Sequence, residues 1–312
     1  MSPQIDYTPP AAFAAQFDER RYRLVMDEAV RVLSKRFKIA FVKDAVAYID
    51  DGGDSSSVNL NPMLAAIGHL RKDARLLDGA HAHTTRMLHA LTAREQSEEK
   101  TFREVRRKLA VRLYPPDSKL GELTHIVTGE HLPGLVSMLM LDDEGAFSGI
   151  SVEMLEKWGV TPEDAFREAI RNASRAKVDV RTLKPNTPSG RFPIYHISEP
   201  NHASSFALAL PMFDRKYLGE FGALVAVPAR ELALATPVGP NSLDDIVEAF
   251  VATIGGLVRS TYAQTDRPVS QGFYWLDPLG KFERIAVRRE DGRVWALEPP
   301  RLTQMWDGDE EE

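Results

Sequence analysis

The chain has 312 residues, of which 43% are hydrophobic, so it can bury a substantial core and is not a disordered protein. Its formal net charge of -6 would repel a polyphosphate, which argues against nucleic acid as a general partner. It contains no cysteine, and this excludes disulfides, thiolate nucleophiles and cysteine-bound metals.

Neither end of the chain carries a membrane signal. Residues 1–17 lack both the basic segment and the continuous apolar segment of a secretory signal, and we expect a partly flexible leader there. The longest apolar run, Gly134 to Leu141, is shorter than the roughly 20 residues that span a bilayer. Residues 301–312 end in DGDEEE, which is typical of a solvated acidic tail. These features predict a soluble, cytoplasmic protein that does not contact a membrane.

Residues 18–116 have the pattern of an N-terminal lobe that mixes helices and strands. Asp18 to Lys35 places its apolar side chains on one side of a helix. Pro115 and Pro116 end a later strand and mark the predicted lobe boundary. Between them we expect, in order, a hairpin over 37–49, a short strand over 56–60, a helical region over 61–108 and a strand over 109–114.

Residues 117–300 predict a C-terminal lobe of the same mixed kind. Thr161 followed by Pro162 has the composition of a helix N-cap and first helical position, so a helix should begin there. Two hairpins over 273–285 and 286–296 close the lobe. The predicted fold class is therefore α+β, with mixed helices and mostly antiparallel sheets in two closely packed lobes.

One helix of this second lobe contains a pair of glycines. Ser242 and Asp245 resemble a capping box at its start, with Asp in place of the usual Glu or Gln. Gly255 and Gly256 interrupt its interior, where each glycine costs about 1 kcal/mol relative to alanine. Close approach of another backbone would offset that cost.

The stretch from Phe192 to Pro237 combines the densest apolar pattern of the chain with a polar corner. It predicts a strand, a corner at 200–202, a helix that carries Phe206 and Phe213, and a buried strand over 223–227. An active site in this chain would draw on the polar groups of this stretch, because they lie beside the apolar core elements.

The polar corner supplies the candidate catalytic residues. His202 can act as a base and Ser204 or Ser205 as a nucleophile, with Asp214 orienting the base. However, no nucleophile-elbow pattern surrounds either serine. The same residues are also typical of a helix start, where Asn and Ser side chains cap free amides, and this interpretation is favoured.

Other polar side chains are candidates for binding a ligand or a metal. The candidate ligand-binding residues are Tyr195, Asn201 and Arg230. His81 and His83 are two residues apart, which places them on different sides of a helix. His125, Glu130 and His131 follow no established zinc spacing, and no phosphate-binding glycine motif occurs. No metal site and no cofactor are therefore predicted.

Several short motifs occur in a fixed order along nearly the whole chain. They include VRLYP at 111–115, Trp158-Gly159, Ala203-Ser204 and VAVP at 225–228. Their order resembles the YtpQ-like family, a bacterial family of unknown function, and this resemblance implies a bacterial protein but assigns no catalytic residues. In that family an acidic residue often precedes the Ala-Ser pair, where this chain has His202, so any ligand chemistry at this position would differ from that of the family.

Two functions remain open at this point. We expect a non-catalytic protein-binding or adaptor module whose partner is another protein, because late aromatic strands can present a surface. The alternative is a small-molecule-binding, hydrolase-like enzyme that uses the polar corner around His202. A contiguous apolar patch on the late strands would favour the first function, whereas a deep pocket lined by His202, Tyr195 and Arg230 would favour the second. The oligomeric state is left open.

Overall fold

The computed structural model describes residues 3–50, 55–98, 100–116, 118, 125–143, 146–187, 190–213, 217–242, 245–265, 267–290 and 293–308. The chain divides into two compact units, Met1–Gln96 and Ser97–Glu312. This division falls before the lobe boundary predicted at Pro115 and Pro116. The strand that precedes those prolines pairs with a strand of the second unit and therefore belongs there.

The first unit packs three helices against a four-stranded sheet. Strands β1 and β2 are parallel, and the other pairs are antiparallel. The predicted first helix is confirmed: Asp18 caps it by accepting a hydrogen bond from the Arg21 amide, and Tyr22 and Met26 are fully buried. The elements of this unit are β1 (Gln4–Ile5), α1 (Glu19–Leu33), β2 (Ile39–Lys43), β3 (Val46–Asp50), β4 (Ser55–Asn59), α2 (Asn61–Ile67) and α3 (Asp73–Glu98).

The second unit contains the remaining described elements. Its helices are α4 (Phe102–Val105), α5 (Val152–Trp158), α6 (Pro162–Ala173), α7 (Ala203–Leu208), α8 (Ile246–Gln264) and α9 (Pro300–Gly308). Its strands are β5 (Leu109–Tyr114), β6 (Thr128–Gly129), β7 (Val136–Asp143), β8 (Ala146–Gly149), β9 (Asp179–Leu183), β10 (Asn186–Thr187), β11 (Gly190–Arg191), β12 (Ile194–Ser198), β13 (Ala223–Ala229), β14 (Leu232–Pro237), β15 (Phe273–Leu276), β16 (Phe282–Glu290) and β17 (Arg293–Leu297). None of the helices in the described part of the chain is long and apolar enough to cross a membrane.

A seven-stranded antiparallel sheet forms the centre of the second unit, in the order β17-β16-β15-β13-β14-β12-β9. Helices α8 and α9 pack on one face, where Phe250, Trp275 and Leu302 are buried. The opposite face packs against α5, α6, α7 and a second sheet that contains β5, β6, β7 and β8. Helices on mostly antiparallel sheets make an α+β fold, so the predicted fold class is confirmed.

The two chain ends are more ordered than the sequence predicts. The expected leader at 1–17 supplies β1, and Phe17 is buried in the core of the first unit. The first part of the expected tail at 301–312 lies in α9, whose Leu302 is fully buried. Residues 309–312, which hold most of the acidic block, lie outside the described residues.

The stretch from Phe192 to Pro237 forms the middle of the large sheet and a helix that packs on it. β12, α7 and β13 lie where the sequence predicts them. Every residue of β13 is buried, because packed elements cover both of its faces, and this explains its unbroken apolar run. β14, which the sequence did not predict, lies between β12 and β13 in the sheet and pairs with both.

The start of α6 is confirmed and the capping box of α8 is wrong. Thr161 accepts a hydrogen bond from the Asp164 amide, and Pro162 is the first residue of α6. At α8, Asp245 is the N-cap residue but its side chain makes no cap hydrogen bond. The Ser242 hydroxyl instead accepts a hydrogen bond from the Gly239 amide, and so closes the turn before the helix.

Helix α8 runs through Gly255 and Gly256 without a break. A methyl group at Gly256 would meet no atom within 4 Å, and one at Gly255 would meet only Arg259 Nη1, at 3.4 Å. No described backbone from another element approaches the pair, so no such contact offsets the helix cost of the two glycines. No packing contact of the described structure requires glycine rather than alanine at the exposed Gly256.

Replacing Gly256 by Ala should stabilise the protein by about 0.5–1 kcal/mol, because alanine reduces the entropy of the unfolded chain and meets no atom in the helix. Gly222→Ala is the contrasting variant. Its φ is 96° and an added Cβ would lie 2.1 Å from the Leu276 carbonyl oxygen, so it should be destabilised. Urea denaturation of both variants checks the two directions, and a destabilised Gly256→Ala would contradict the explanation.

Candidate functional site

The polar corner between β12 and α7 is organised by one carboxylate. Glu199 follows β12 and accepts hydrogen bonds from the backbone amides of Asn201, at 2.7 Å, and His202. His202 is the N-cap residue of α7 but makes no side-chain cap hydrogen bond. The predicted helix start is therefore confirmed, whereas the predicted capping by Asn and Ser side chains is wrong. Sequence reasoning missed Glu199, because a glutamate four residues before a helix is not a typical cap.

The two candidate nucleophiles are both committed to the interior. Ser204 is fully buried, and its hydroxyl has no hydrogen-bond partner among the described residues. The Ser205 hydroxyl donates to the carbonyl oxygen of Val111 on β5, so its proton is engaged with the backbone and not with His202. Asp214, the candidate orienting residue, lies outside the described residues. The described part of the corner thus does not assemble a nucleophile, base and orienting acid.

His202 instead pairs with a carboxylate from the second sheet. Its Nε2 lies 3.1 Å from Oδ2 of Asp142, and each side chain is 23% exposed. The ring of Phe147, which pairs with Asp142 across β7 and β8, lies 5.7 Å from the imidazole centroid. Asp142 and Asp143 are the last two residues of β7, which pairs with β8 in an antiparallel arrangement. Only the tertiary fold brings Asp142 to His202.

The residues around His202 line a cleft of about 690 Å³. β5 forms part of the floor of this cleft, and side chains from two helices donate hydrogen bonds to its outward carbonyl groups. Asn172 of α6 donates to the carbonyl oxygen of Leu109, at 2.9 Å, and Ser205 of α7 donates to that of Val111. These bonds satisfy buried backbone acceptors and fix both helices beside β5.

The rim of the cleft is basic. Lys108 pairs with Asp143, but no carboxylate of a described residue forms an ion pair with the other basic side chains of the rim. These side chains are exposed, and so their charges face solvent. The basic residues that line the cleft are Arg107, Lys108, Arg175 and Lys177.

A second polar group, which contains Arg112 and Arg230, also contacts the ring of Phe147. The guanidinium carbon of Arg112 lies 3.4 Å from the centroid of the Phe147 ring. The guanidinium carbon of Arg230, on the turn between β13 and β14, lies 4.9 Å from the centroid of the Tyr114 ring. Burial, and then the neighbouring charge of Arg230, lower the pKa of Arg112 to about 10.

None of the three candidate ligand-binding residues lines this cleft. The described residues of the cleft include His202 but neither Tyr195 nor Arg230. Tyr195 is buried in the core, with its ring 4.7 Å from that of Tyr217. Asn201 contributes a backbone amide to the corner. The structure thus brings His202 to a cleft, Arg230 to the adjoining arginine group and Tyr195 to neither.

The late aromatic strands are mostly core. Phe273, Tyr274 and Trp275 of β15 are buried. On β17, at the end of the large sheet, Trp295 and Leu297 remain 45% and 50% exposed. The apolar surface on these strands is therefore confined to one side of β17 among the described residues.

The histidines considered as metal ligands have structural neighbours. His81 Nδ1 lies 2.6 Å from Glu28 Oε1 on α1. Glu130 accepts a hydrogen bond from the Gly134 amide, and the His131 ring packs 4.6 Å from Phe166. Within the described ranges, no three ligating side chains come together as they would around a metal ion.

Comparison of the chain with known family models, with curated proteins and with solved structures finds no match. The resemblance to the YtpQ-like family therefore stays a prediction.

The two serines of α7 should respond in opposite directions to alanine. Ser205→Ala leaves the buried Val111 carbonyl without its donor and should cost about 1–3 kcal/mol. Ser204→Ala removes a buried hydroxyl that has no partner in the described structure, so it should be neutral or stabilising. Denaturant midpoints of the two variants test this ordering, and a more damaging Ser204→Ala would contradict it.

His131 should make the protein less stable in acid. Burial lowers the pKa of His131 below its usual value, so on acidification the unfolded chain takes up the proton first. The stability present above about pH 6.5 should therefore fall as the pH drops below that value toward the folded-state pKa. His131→Leu should flatten this dependence when unfolding is measured from pH 7.5 to about pH 5, whereas an unchanged slope would show that His131 does not contribute.

Proposed function

We propose that this protein acts by binding an acidic segment of a partner protein in the cleft around His202. The observation that carries the proposal is the basic rim of this cleft, in a chain whose formal net charge is -6. Such a local reversal of charge steers an acidic partner toward one place on the surface.

The charges inside the cleft support an anionic ligand. Glu199 is occupied by two backbone amides, and Asp142 faces His202. Arg107, Arg175 and Lys177 are exposed and form no ion pair with another described residue. The positive charges are thus the ones left to meet a ligand, and they lie at the rim, where long side chains can follow an extended segment.

The lining of the cleft also favours a polar partner. Pockets for small molecules are mostly apolar with a few polar groups. Here Asp142, Asn172, Glu199 and His202 join the basic rim, so the cleft offers more charged and amide groups than the few that orient a small ligand. An acidic peptide, which brings its own carboxylates and backbone amides, matches such a wall better than an apolar metabolite does.

The serine positions support binding over hydrolysis. The Ser204 hydroxyl is buried and the Ser205 hydroxyl donates to the backbone, so neither serves His202 as a nucleophile. The second candidate function is acid-base chemistry on a bound small molecule. The observation that favours it is the 3.1 Å pair of His202 and Asp142, in which the carboxylate can orient the imidazole.

A fluorescein-labelled hexaglutamate peptide is a suitable probe for the full-length chain. Anisotropy should show saturable binding that weakens with added salt, because the rim charges are exposed. The double variant Arg175→Glu and Lys177→Glu should raise the Kd by about tenfold or more. Lys184→Glu is the matched control, because Lys184 is exposed but does not line the cleft, and its Kd should change little.

Two outcomes would overturn the proposal. Equal weakening by Lys184→Glu would show that the peptide senses only overall charge. Hydrolysis of p-nitrophenyl acetate by the wild type, lost in His202→Gln while no peptide binds, would replace the proposal by the second candidate.

A further inference from the structure

Arg112 and Arg230 lie together beside the polar corner without a counter-charge. Neither guanidinium forms an ion pair with a residue that the structure describes. The Nε of each is shut off from solvent and has no hydrogen-bond acceptor. Leaving a buried donor of a charged group without a partner is costly, so this arrangement is unfavourable for the protein alone.

Each guanidinium carbon lies over an aromatic ring. Phe147 lies under Arg112 at 3.4 Å and Tyr114 under Arg230 at 4.9 Å, measured from Cζ to the ring centroid. Such stacking holds a guanidinium through its face and leaves the N–H groups at its edge to bind an anion. Arg230 is only half-buried, so part of this edge remains open to solvent.

The charges of this group repel one another. Burial lowers the pKa of Arg112 first, and the charge of Arg230 lowers it further, with Arg267 adding a smaller effect in the same direction. The Tyr114 hydroxyl acts in the opposite direction but is a neutral partner. An anion placed between the guanidinium groups would remove the repulsion.

Arg301 is an arginine of the same unit whose charge is neutralised by carboxylates of the protein. Its guanidinium carbon lies 5.8 Å from the centroid of the Trp275 ring. Its two Nη atoms bond to Asp277, at 2.6 Å, and to Glu283, at 2.9 Å, and these carboxylates raise the pKa of Arg301. Arg112 and Arg230 each lie over an aromatic ring, as Arg301 does, but neither pairs with a carboxylate of a described residue.

The backbone around the two arginines is held in place before any ligand arrives. Arg112 lies in register opposite Met138 in the paired strands β5 and β7. The Arg230 amide donates to the Arg267 carbonyl oxygen, and its own carbonyl oxygen accepts a hydrogen bond from the Ser204 amide, both at 3.1 Å. A ligand would therefore meet donors whose ordering cost is largely met by folding.

We propose that Arg112 and Arg230 form a binding site for a phosphate or phosphoryl oxyanion. A dianion matches two guanidinium groups in charge, and its oxygens accept the paired N–H bonds that an arginine edge presents. This site lies beyond the cleft that binds the acidic segment, since neither arginine lines that cleft. It does not depend on the proposed function.

Calorimetric titration of the full-length protein with inorganic phosphate, in a phosphate-free buffer, tests the site. We expect one saturable site, and Arg230→Met should raise its Kd at least tenfold. Arg175→Met removes a basic side chain of the cleft rim and should leave the phosphate Kd unchanged. Titration with glycerol phosphate separates a free anion from a phosphoryl group carried on a ligand, and a tighter Kd for the ester assigns the site to the latter.

Stability in the absence of phosphate separates a binding role from a structural one. Arg230→Met should leave the Tm unchanged or raised, because it removes a repulsive charge, whereas Arg301→Met should lower it. If Arg230→Met does not fold, Arg112→Lys keeps the charge but loses the paired donors, and it should weaken phosphate binding. Absence of phosphate binding by the wild type up to about 10 mM, a range that reaches millimolar affinities, would overturn the proposal. So would a Tm loss in Arg230→Met equal to that of Arg301→Met.

Discussion

The backbone at the outer edge of β5 sets the arrangement of the second unit. Because this strand is buried, its outward carbonyl groups must find donors within the protein. Asn172 and Ser205 supply them, one from α6 and one from α7. Once α7 is fixed by that bond, its N-cap His202 lies beside Asp142 of β7, and the cleft is the space left between these elements. A requirement of backbone hydrogen bonding thus positions the most polar surface of the fold.

Arginine side chains of the second unit have two kinds of surroundings. At Arg301, two carboxylates complete the surroundings of a guanidinium that also stacks on Trp275, so the group is neutralised within the fold. Arg112 and Arg230 also lie over aromatic rings, but no carboxylate of a described residue pairs with either of them. Burial of a charge without a compensating partner lowers the stability of the folded protein. The contrast with Arg301 therefore indicates that Arg112 and Arg230 serve a purpose other than stability.

Local sequence patterns predicted the secondary-structure elements better than they predicted the tertiary contacts around those elements. The N-cap at Thr161 and the buried strand at 223–227 were recognised because short-range chemistry determines them: a hydroxyl that caps amides, and a strand covered on both faces. β14 was missed, since it consists mainly of alternating Leu and Ala, and Thr236 is its single β-branched residue. The pairing of Asp142 with His202 was not predicted, because the two residues are 60 positions apart in the chain, beyond the reach of any spacing rule. His202 was found because the corner is locally polar within an apolar stretch.

The bond from Ser205 to Val111 joins residues that are 94 positions apart, and the bond from Asn172 to Leu109 spans 63. Contacts of such long separation carry a high loop-closure entropy and form late, after local helices and hairpins. The cleft therefore has no counterpart in a partly synthesised chain. Until α7 has docked, the Val111 carbonyl group of β5 lacks its Ser205 donor, and the cleft lacks the part of its wall that His202 and Ser205 provide.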